Sequence, residues 1–318
     1  MIAVDITLKG GLCNKLFQLF SACDIAIKDK TKILEPSFGW ERPILFSDIY
    51  DIDFFNNMMK EFNDDEDLMV PHESRSEYKI IQNDRDLWRY SEKILRAQRN
   101  SDQIKRNSMM VIVMTALRLN ERNLNLCDEI SDIQERCAMH IRIEQDWVRY
   151  AKSKIKRPPP RGHSKKSTNN VGIGLVKRPM TSSSPAPLKD DLYLISVSEL
   201  INLYKKKGFK EDIFFTTGQN QIQVQKQMAD MNIRSSYVYI DDLEYEVNAA
   251  INFELCCRAK LFIGISRSTF SNLISLRRCL INTNDSYIYN LDNHLCLRVD
   301  KGLHPCPIKA TRSHVKLM

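Results

Sequence analysis

One segment of the chain places side chains with catalytic chemistry at alternate positions. Its sequence is His140-Ile141-Arg142-Ile143-Glu144-Gln145-Asp146-Trp147, and Cys137 to Ile143 is predicted to form a strand. Side chains alternate between the two faces of a strand, so His140, Arg142 and Glu144 share one face while the apolar side chains face the core. A guanidinium suits a diphosphate, because its planar fork matches phosphate oxygens and its charge does not titrate away. The segment predicts a phosphate site, with a structural Arg–Glu pair as the alternative.

A second segment is a glycine turn, Lys9-Gly10-Gly11-Leu12-Cys13-Asn14, between a predicted strand and a predicted helix. Glycines at such a turn let a ligand approach the backbone N–H groups at the positive end of the helix. The turn is not a G-x-x-x-x-G-K-[ST] phosphate loop, because Asn14 and Leu16 stand where that loop needs glycine and Ser or Thr. An ordinary tight turn is the alternative.

A third segment is an apolar strand, Leu261 to Ile265, that runs into the hydroxyl-rich turn Ser266-Arg267-Ser268-Thr269-Phe270-Ser271. A helix is predicted from Thr269 to Arg278, so the hydroxyls and the first helical amides would face an anion together. Simple capping of the helix by Ser268 or Thr269 is compatible with that interpretation.

Two weaker patterns involve aspartates. Asp51 and Asp53 form the D-x-D pattern by which many sugar transferases hold a divalent cation, although such loops often only face water. Asp242 follows a predicted strand, where it could bind a ribose or cap the next helix.

The charge of the chain is concentrated in one segment. The net charge is +7, from 47 basic and 40 acidic residues. Ten of the basic residues and no acidic ones lie in 151–189, and without them the body carries 37 basic and 40 acidic residues. The folded body therefore needs no basic face for nucleic acid.

Cysteine usage and hydropathy point to a cytoplasmic protein without a membrane span. Nine cysteines occur, none of them in a C-x-x-C pair, which favours reduced thiols in a reducing compartment. No apolar run approaches the roughly 20 residues of a spanning helix, and charge begins at Asp5, which does not fit a signal peptide.

The elements that must position these side chains alternate between strand and helix. A proline-, serine- and lysine-rich stretch, 153–190, is predicted to be a flexible linker or insertion, because it offers too little apolar surface to offset its ordering entropy. We expect an α/β protein with parallel sheets and a cleft between two Rossmann-like halves, 1–152 and 191–318. The His140 strand is predicted to end the first half.

Together the three segments resemble the fucosyltransferase superfamily that includes the protein O-fucosyltransferases and the α1,2- and α1,6-fucosyltransferases. Gly10-Gly11-Leu12-Cys13-Asn14-Lys15-Leu16-Phe17-Gln18 is similar to its G-G-x-x-N-x-x-x-Q element, and His140 to Trp147 to its H-x-R-x-x-x-D-W form. The Phe262-Ile263-Gly264 strand with Ser268-Thr269-Phe270-Ser271 resembles its C-terminal donor turn.

The resemblance implies a GT-B fold and an inverting, metal-independent transferase without a cofactor. Its donor would be a nucleotide sugar, most often GDP-fucose, and its acceptor a glycan or glycoprotein. The resemblance implies that Arg142 holds the β-phosphate and that Asn14 borders the reacting centre. A carboxylate could deprotonate the acceptor hydroxyl, which makes Glu144 or Asp146 the candidate base. We expect a donor site made of Gly10, Gly11, His140, Arg142, Thr217, Asp242, Asn252, Ser268, Thr269 and Phe270, of which the resemblance carries His140, Arg142, Ser268 and Thr269.

Three alternatives stay open. Asn252 stands where the superfamily usually has an acid, so the donor could be UDP-xylose or an activated rhamnose. A metal-dependent GT-A-type transferase would use Asp51 and Asp53 instead. A non-catalytic sugar- or nucleic-acid-binding protein would depend on the basic linker, although that segment lacks the interleaved aromatic residues that single-stranded nucleic acid favours.

Overall fold

The first half of the chain builds a small parallel sheet and its covering helices. The computed structural model describes residues 1–39, 42–83, 85–90, 108–155, 194–265, 268–281, 285–291, 294–298 and 315–316. The elements of this half are β1 (Ile2–Asp5), α1 (Leu12–Asp29), β2 (Lys32–Leu34), α2 (Phe46–Ile49), α3 (Ile52–Met59), β3 (Met69–Val70), β4 (Lys79–Gln82), α4 (Met109–Ala116) and α5 (Glu121–Asp128). The strands lie in the order β3-β2-β1-β4, all parallel.

The second half builds a larger sheet of seven strands. Its elements are β5 (Cys137–His140), α6 (Gln145–Ile155), α7 (Val197–Lys206), β6 (Ile213–Thr216), α8 (Gln221–Asp230), β7 (Ser235–Ser236), α9 (Tyr245–Arg258), β8 (Leu261–Gly264), α10 (Thr269–Leu280), β9 (Ser286–Leu291), β10 (His294–Arg298) and β11 (Val315–Lys316). The strand order is β11-β10-β9-β8-β5-β6-β7. The five strands from β9 to β7 are parallel, whereas β10 and β11 are antiparallel additions at one edge.

The order β7-β6-β5-β8-β9 is that of a doubly wound sheet. The chain proceeds outward from β5 through β6 to β7, then returns to the other side of β5 to form β8 and β9. Its direction therefore reverses between β5 and β8, and ligands of open α/β sheets bind at the carboxyl ends of the strands at such a switch point. The predicted α/β architecture with parallel sheets is confirmed.

Strand β5 lies in the second sheet, and the predicted boundary after residue 152 placed it in the first. Cys137 pairs with Ile213 of β6 on one side and with Leu261 of β8 on the other. The pattern of apolar residues identifies a strand, but it does not say which sheet the strand joins. The 153–190 stretch therefore begins in the last turn of α6, and residues 156–190 lie outside the described residues.

The two halves share one apolar core. Helix α1 is predicted from its helical spacing of apolar residues and buries them here, while α9 and α10 from the second half pack against it. Helix α4 of the first half joins the same cluster. Among the described residues, no helix is long and apolar enough to cross a membrane.

Candidate active site

A cavity of about 530 Å³ lies between the two sheets, at the carboxyl ends of their central strands. Its walls come from both halves: the glycine turn and the start of α1 from the first, and residues that follow β5, β6, β7 and β8 from the second. The volume falls within the range of small-molecule sites. The cavity thus occupies the place that the strand order of the second sheet marks for a ligand.

Five helices direct their N-termini toward this cavity. Residues of their first turns line it, namely Leu12 of α1, Asp146 of α6, Gln221 of α8, Tyr245 of α9 and Thr269 of α10. In α1, α8, α9 and α10 the residue that precedes the helix makes no side-chain cap. The first amides of a helix carry partial positive charge and need acceptors, so the cavity favours an anion.

The glycine turn is held open by a side chain from α1. Gly10 has φ +89°, a conformation that residues with side chains rarely adopt, and a Cβ there would approach Asn14 Nδ2 to 2.8 Å. The Gln18 amide accepts the N–H of Lys9 at 3.1 Å and donates to its carbonyl at 2.6 Å. This two-way clamp fixes the turn so that Gly11 and Asn14 line the cavity, while Gly10 lies behind them.

Arg142 is the one basic side chain of the described residues that lines the cavity. Its Nε lies 3.3 Å from Glu144 Oε2, and its Nη2 lies 3.3 Å from Asp146 Oδ2. The guanidinium also lies over the ring of Trp147, 5.3 Å from the centroid. Two carboxylates and an aromatic face therefore orient a guanidinium that is 23% exposed and can reach a ligand.

The two carboxylates beside Arg142 have different surroundings. Glu144 is buried, and its Oε1 accepts the N–H of Gly218 at 2.7 Å and lies 3.5 Å from the hydroxyl of Thr217. It thus ties the loop after β6 to Arg142. Asp146 is 75% exposed in the first turn of α6. Asp146 is the carboxylate that an incoming molecule can reach.

His140 is buried at the end of β5, where Nδ1 lies 2.7 Å from Ser271 Oγ and the ring packs on Phe270. Burial, reinforced by the nearby Arg142 guanidinium, holds the pKa of His140 well below its usual value, so the ring is neutral. Ser271 Oγ also accepts the N–H of Ile265 at 3.1 Å, which directs its own hydrogen toward Nδ1. A hydroxyl that donates to Nδ1 would leave the ring proton on Nε2, where it could be donated to a ligand in the cavity.

The hydroxyl-rich turn also meets the cavity. Ser268, Thr269 and Phe270 line it at the start of α10. The side chain of Ser268 does not cap this helix, so the capping role considered from the sequence is not what the structure shows. The hydroxyls and the first amides of α10 are directed at the cavity together.

The wall opposite the glycine turn comes from α9 and the loop after β7. Asn252 lines it, and its Nδ2 donates to the carbonyls of Val238 and Asn248 at 3.0 and 2.8 Å. Asn248 holds the same loop through hydrogen bonds in both directions with Ile240. The sequence did not single out Asn248, although two asparagines four residues apart share one face of a helix.

Aromatic residues of this cavity were also not identified from the sequence. Rings from both halves line it: Trp88, Trp147, Tyr150, Phe215, Tyr237, Tyr239, Tyr245 and Phe270. Two of these residues appear in the sequence-based predictions: Phe270 in the donor site and Trp147 in the H-x-R segment. Aromatic residues are usual core formers, so no sequence signal separates the cavity members from the core.

Two groups of predicted residues lie elsewhere. Asp242 lines a separate cavity of about 360 Å³ with Arg42 and Arg122. Asp51 caps α3 through the N–H of Phe54 and pairs with Arg118, away from the main cavity. Among the described residues, no three His, Cys, Asp or Glu side chains form a cluster that could hold a metal ion. The other predicted site residues, except Gly10, line the main cavity.

The sequence matches no protein-family model, and no curated protein matches it. Solved structures are similar in fold. POFUT1 in complex with GDP shares 12% identity over 90% of this chain and 98% of that one, with a TM-score of 0.55. NodZ α-1,6-fucosyltransferase soaked with GDP-fucose shares 12% identity over 92% and 97% of the two chains, with a TM-score of 0.53. The fucosyltransferase NodZ from Bradyrhizobium gives the same identity, coverage and TM-score. The fold is the GT-B fold of these fucosyltransferases, as the sequence motifs predicted.

Proposed function

We propose that this protein is a glycosyltransferase that transfers a sugar, fucose from GDP-fucose, to a glycan or glycoprotein, with inversion and without a metal. The observation that carries the proposal is the cavity at the switch point of the second sheet. There Arg142 and the uncapped N-terminus of α10 line a single cavity, whose walls come from both halves. The fold shared with POFUT1 and NodZ, whose structures hold GDP or GDP-fucose, supports the same choice.

The charges of the cavity suit the departure of a nucleoside diphosphate. When the bond between C1 of the sugar and the β-phosphate oxygen breaks, positive charge develops on the sugar and negative charge on the phosphate. Arg142 and the N–H groups of Thr269 and Phe270 can stabilise that negative charge. These groups supply the positive charge that a cation supplies in metal-dependent transferases. His140 can donate from Nε2 to the donor.

The acceptor hydroxyl forms the new bond to C1 from the opposite face of the sugar and must lose its proton. We assign Asp146 as the base that accepts this proton, because its carboxylate is exposed. Glu144 is less suited, because its side chain is only 9% exposed whereas that of Asp146 is 75% exposed. The role of Glu144 is to hold Arg142 against the loop after β6. Asn14 and Gly11 close the cavity on the acceptor side.

Asn252 is the observation that favours a different donor. Guanine presents adjacent N–H groups, and a carboxylate accepts both of their hydrogen bonds well. Asn252 instead offers a neutral amide, whose nitrogen already donates hydrogen bonds to two backbone carbonyls. Such a wall also suits a uracil or thymine base. UDP-xylose and an activated rhamnose are therefore the alternative donors.

The test is turnover of GDP-fucose, GDP-mannose, UDP-xylose, UDP-galactose and an activated rhamnose, each with EDTA and with Mn²⁺. EDTA-resistant turnover of one donor, lost in Arg142→Ala and retained in Arg149→Ala on the exposed face of α6, supports the proposal. Arg142→Lys should also lose most of the rate, because an ammonium cannot make the two parallel contacts of a guanidinium. Turnover only with Mn²⁺, or full activity of Arg142→Ala, would overturn it.

A further inference from the structure

A buried ion pair joins the two halves of the protein directly behind the cavity wall. Lys15 in the first turn of α1 and Glu246 in the first turn of α9 are 1% and 4% exposed, and their Nζ and Oε1 atoms lie 2.8 Å apart. Lys15 also donates to the carbonyl of Phe38. The pair links residues 231 positions apart in the sequence.

Both members of the pair are adjacent to residues that line the cavity. Asn14 precedes Lys15 and faces the cavity from the first half. Tyr245 and Asn248 flank Glu246 on α9 and face it from the second half. The ion pair therefore joins the two walls through residues adjacent to Asn14 and Tyr245.

Other contacts also hold the two halves together. Arg277 of α10 donates to the carbonyls of Met114 and Leu117 at 2.6 and 2.7 Å, and the apolar core is continuous across the halves. An apolar pair of similar size at a buried site often stabilises a protein as well as an ion pair does. A lysine in the first turn of a helix is also disfavoured by the positive helix end. Stability alone therefore does not account for Lys15.

We propose that Lys15 and Glu246 are positioning residues that set the distance between Asn14 and the α9 wall of the cavity. The inference rests on the proposed function, because it assigns the acceptor side to the glycine turn and the nucleoside side to α9. A directional contact of 2.8 Å fixes that distance, whereas apolar contacts permit sliding. Misplacement of a reacting group by about 1 Å can lower a rate by about 100-fold.

The test is the double variant Lys15→Met/Glu246→Leu, which removes both charges and keeps the approximate volume. We expect a melting temperature lower by no more than a few degrees, since the carbonyl of Phe38 also loses a donor. We also expect a Kd for GDP within about threefold and a kcat lower by at least tenfold. Asp128→Asn is the matched control, because it removes another ion pair between the halves, at the far end of α9 with Arg258. It should retain wild-type kcat.

Hydrogen exchange decides the same question without activity. In the double variant, the hydrogen-bonded amides of Asn14, Lys15 and Asn248 should exchange at least tenfold faster, whereas Asp128→Asn should leave them unchanged. Unchanged exchange at both turns together with wild-type kcat would overturn the proposal. Wild-type protein that binds no GDP and consumes no donor would overturn the proposed function, and the exchange rates would still decide whether the pair fixes the two walls.

Discussion

Gly264 lies where the end of β8 meets the first turn of α10 so closely that a side chain has no room. A Cβ at this position would lie 2.6 Å from Ser271 Oγ, 2.8 Å from Ser271 Cβ and 2.8 Å from a ring carbon of Phe262. Real Cβ contacts below 3.0 Å are essentially never seen, so Gly264→Ala must displace either the strand or the helix. Ser271 is the side chain that anchors His140, and the strain therefore reaches the cavity.

The cost of Gly264→Ala can be worked from these contacts. Forcing a methyl group into a packed core costs about 1–3 kcal/mol. A shift of Ser271 also weakens its hydrogen bonds to His140 and to the N–H of Ile265, at about 1 kcal/mol each. We expect a total loss of about 3–5 kcal/mol, or a melting temperature lower by roughly 5–8 °C.

The assay is thermal and urea unfolding of Gly264→Ala beside two control variants. Ser271→Ala deletes the same hydrogen bonds without adding an atom, so it should cost only about 1–2 kcal/mol. Gly11→Ala should cost little stability, because no atom lies within 4 Å of its Cβ and its φ of −69° suits alanine. A Gly264→Ala protein as stable as the wild type would refute the steric reasoning, and one no less stable than Ser271→Ala would refute the overpacking component.

Three further outcomes follow from the buried groups and the carboxylates. The pKa of the His140 imidazole is depressed in the folded state, so just below pH 6.5 only the unfolded chain protonates this ring. The free energy of unfolding should therefore decrease as the pH is lowered below 6.5, by up to about 1.4 kcal/mol per pH unit. His140→Asn should lack this pH dependence. If the wild type and His140→Asn give the same dependence of stability on pH in urea unfolding, His140 is not the group responsible. Arg278→Met should lower the free energy of unfolding by at least about 3 kcal/mol in urea, since the buried guanidinium donates to five backbone carbonyls. Arg234→Met, at an exposed arginine, should change it by less than about 0.5 kcal/mol. Asp146→Asn should lower kcat by at least about 100-fold and Glu144→Gln by less, and the reverse order in steady-state kinetics would identify Glu144 as the base.

The sequence predicts the elements with strong periodicity better than it predicts their partners. The helix predicted after the glycine turn is α1, which spans Leu12–Asp29, because its buried face repeats at helical spacing. The strand predicted before Asp242 is only Ser235–Ser236, since Ile240 after it is held by Asn248 and not by a neighbouring strand. Strand pairing depends on contacts distant in sequence, and β5 joined the second sheet for that reason.

The residues of the cavity also divide into those that local sequence predicts and those that only the fold reveals. Arg142, His140 and the turn at Ser268 were predicted because charge and hydroxyl groups at strand ends are uncommon in a core. Asp242 was placed at the donor site from its position after a strand, and the structure places it in the smaller cavity. Lys15 and Glu246 carried no signal at all, because a charged residue in a helix is usually solvated and only the fold reveals that the two meet.

The most direct test of a nucleotide-sugar site in this cavity is titration calorimetry of GDP into the wild-type protein and into Arg142→Ala, in EDTA. Binding of GDP needs neither acceptor nor turnover, so it reports on the site itself. We expect binding by the wild type, weakened at least tenfold in Arg142→Ala and unchanged in Arg149→Ala. Equal affinity of GDP for the wild type and Arg142→Ala, or no binding of GDP, UDP or dTDP by the wild type, would contradict a nucleoside diphosphate held by Arg142.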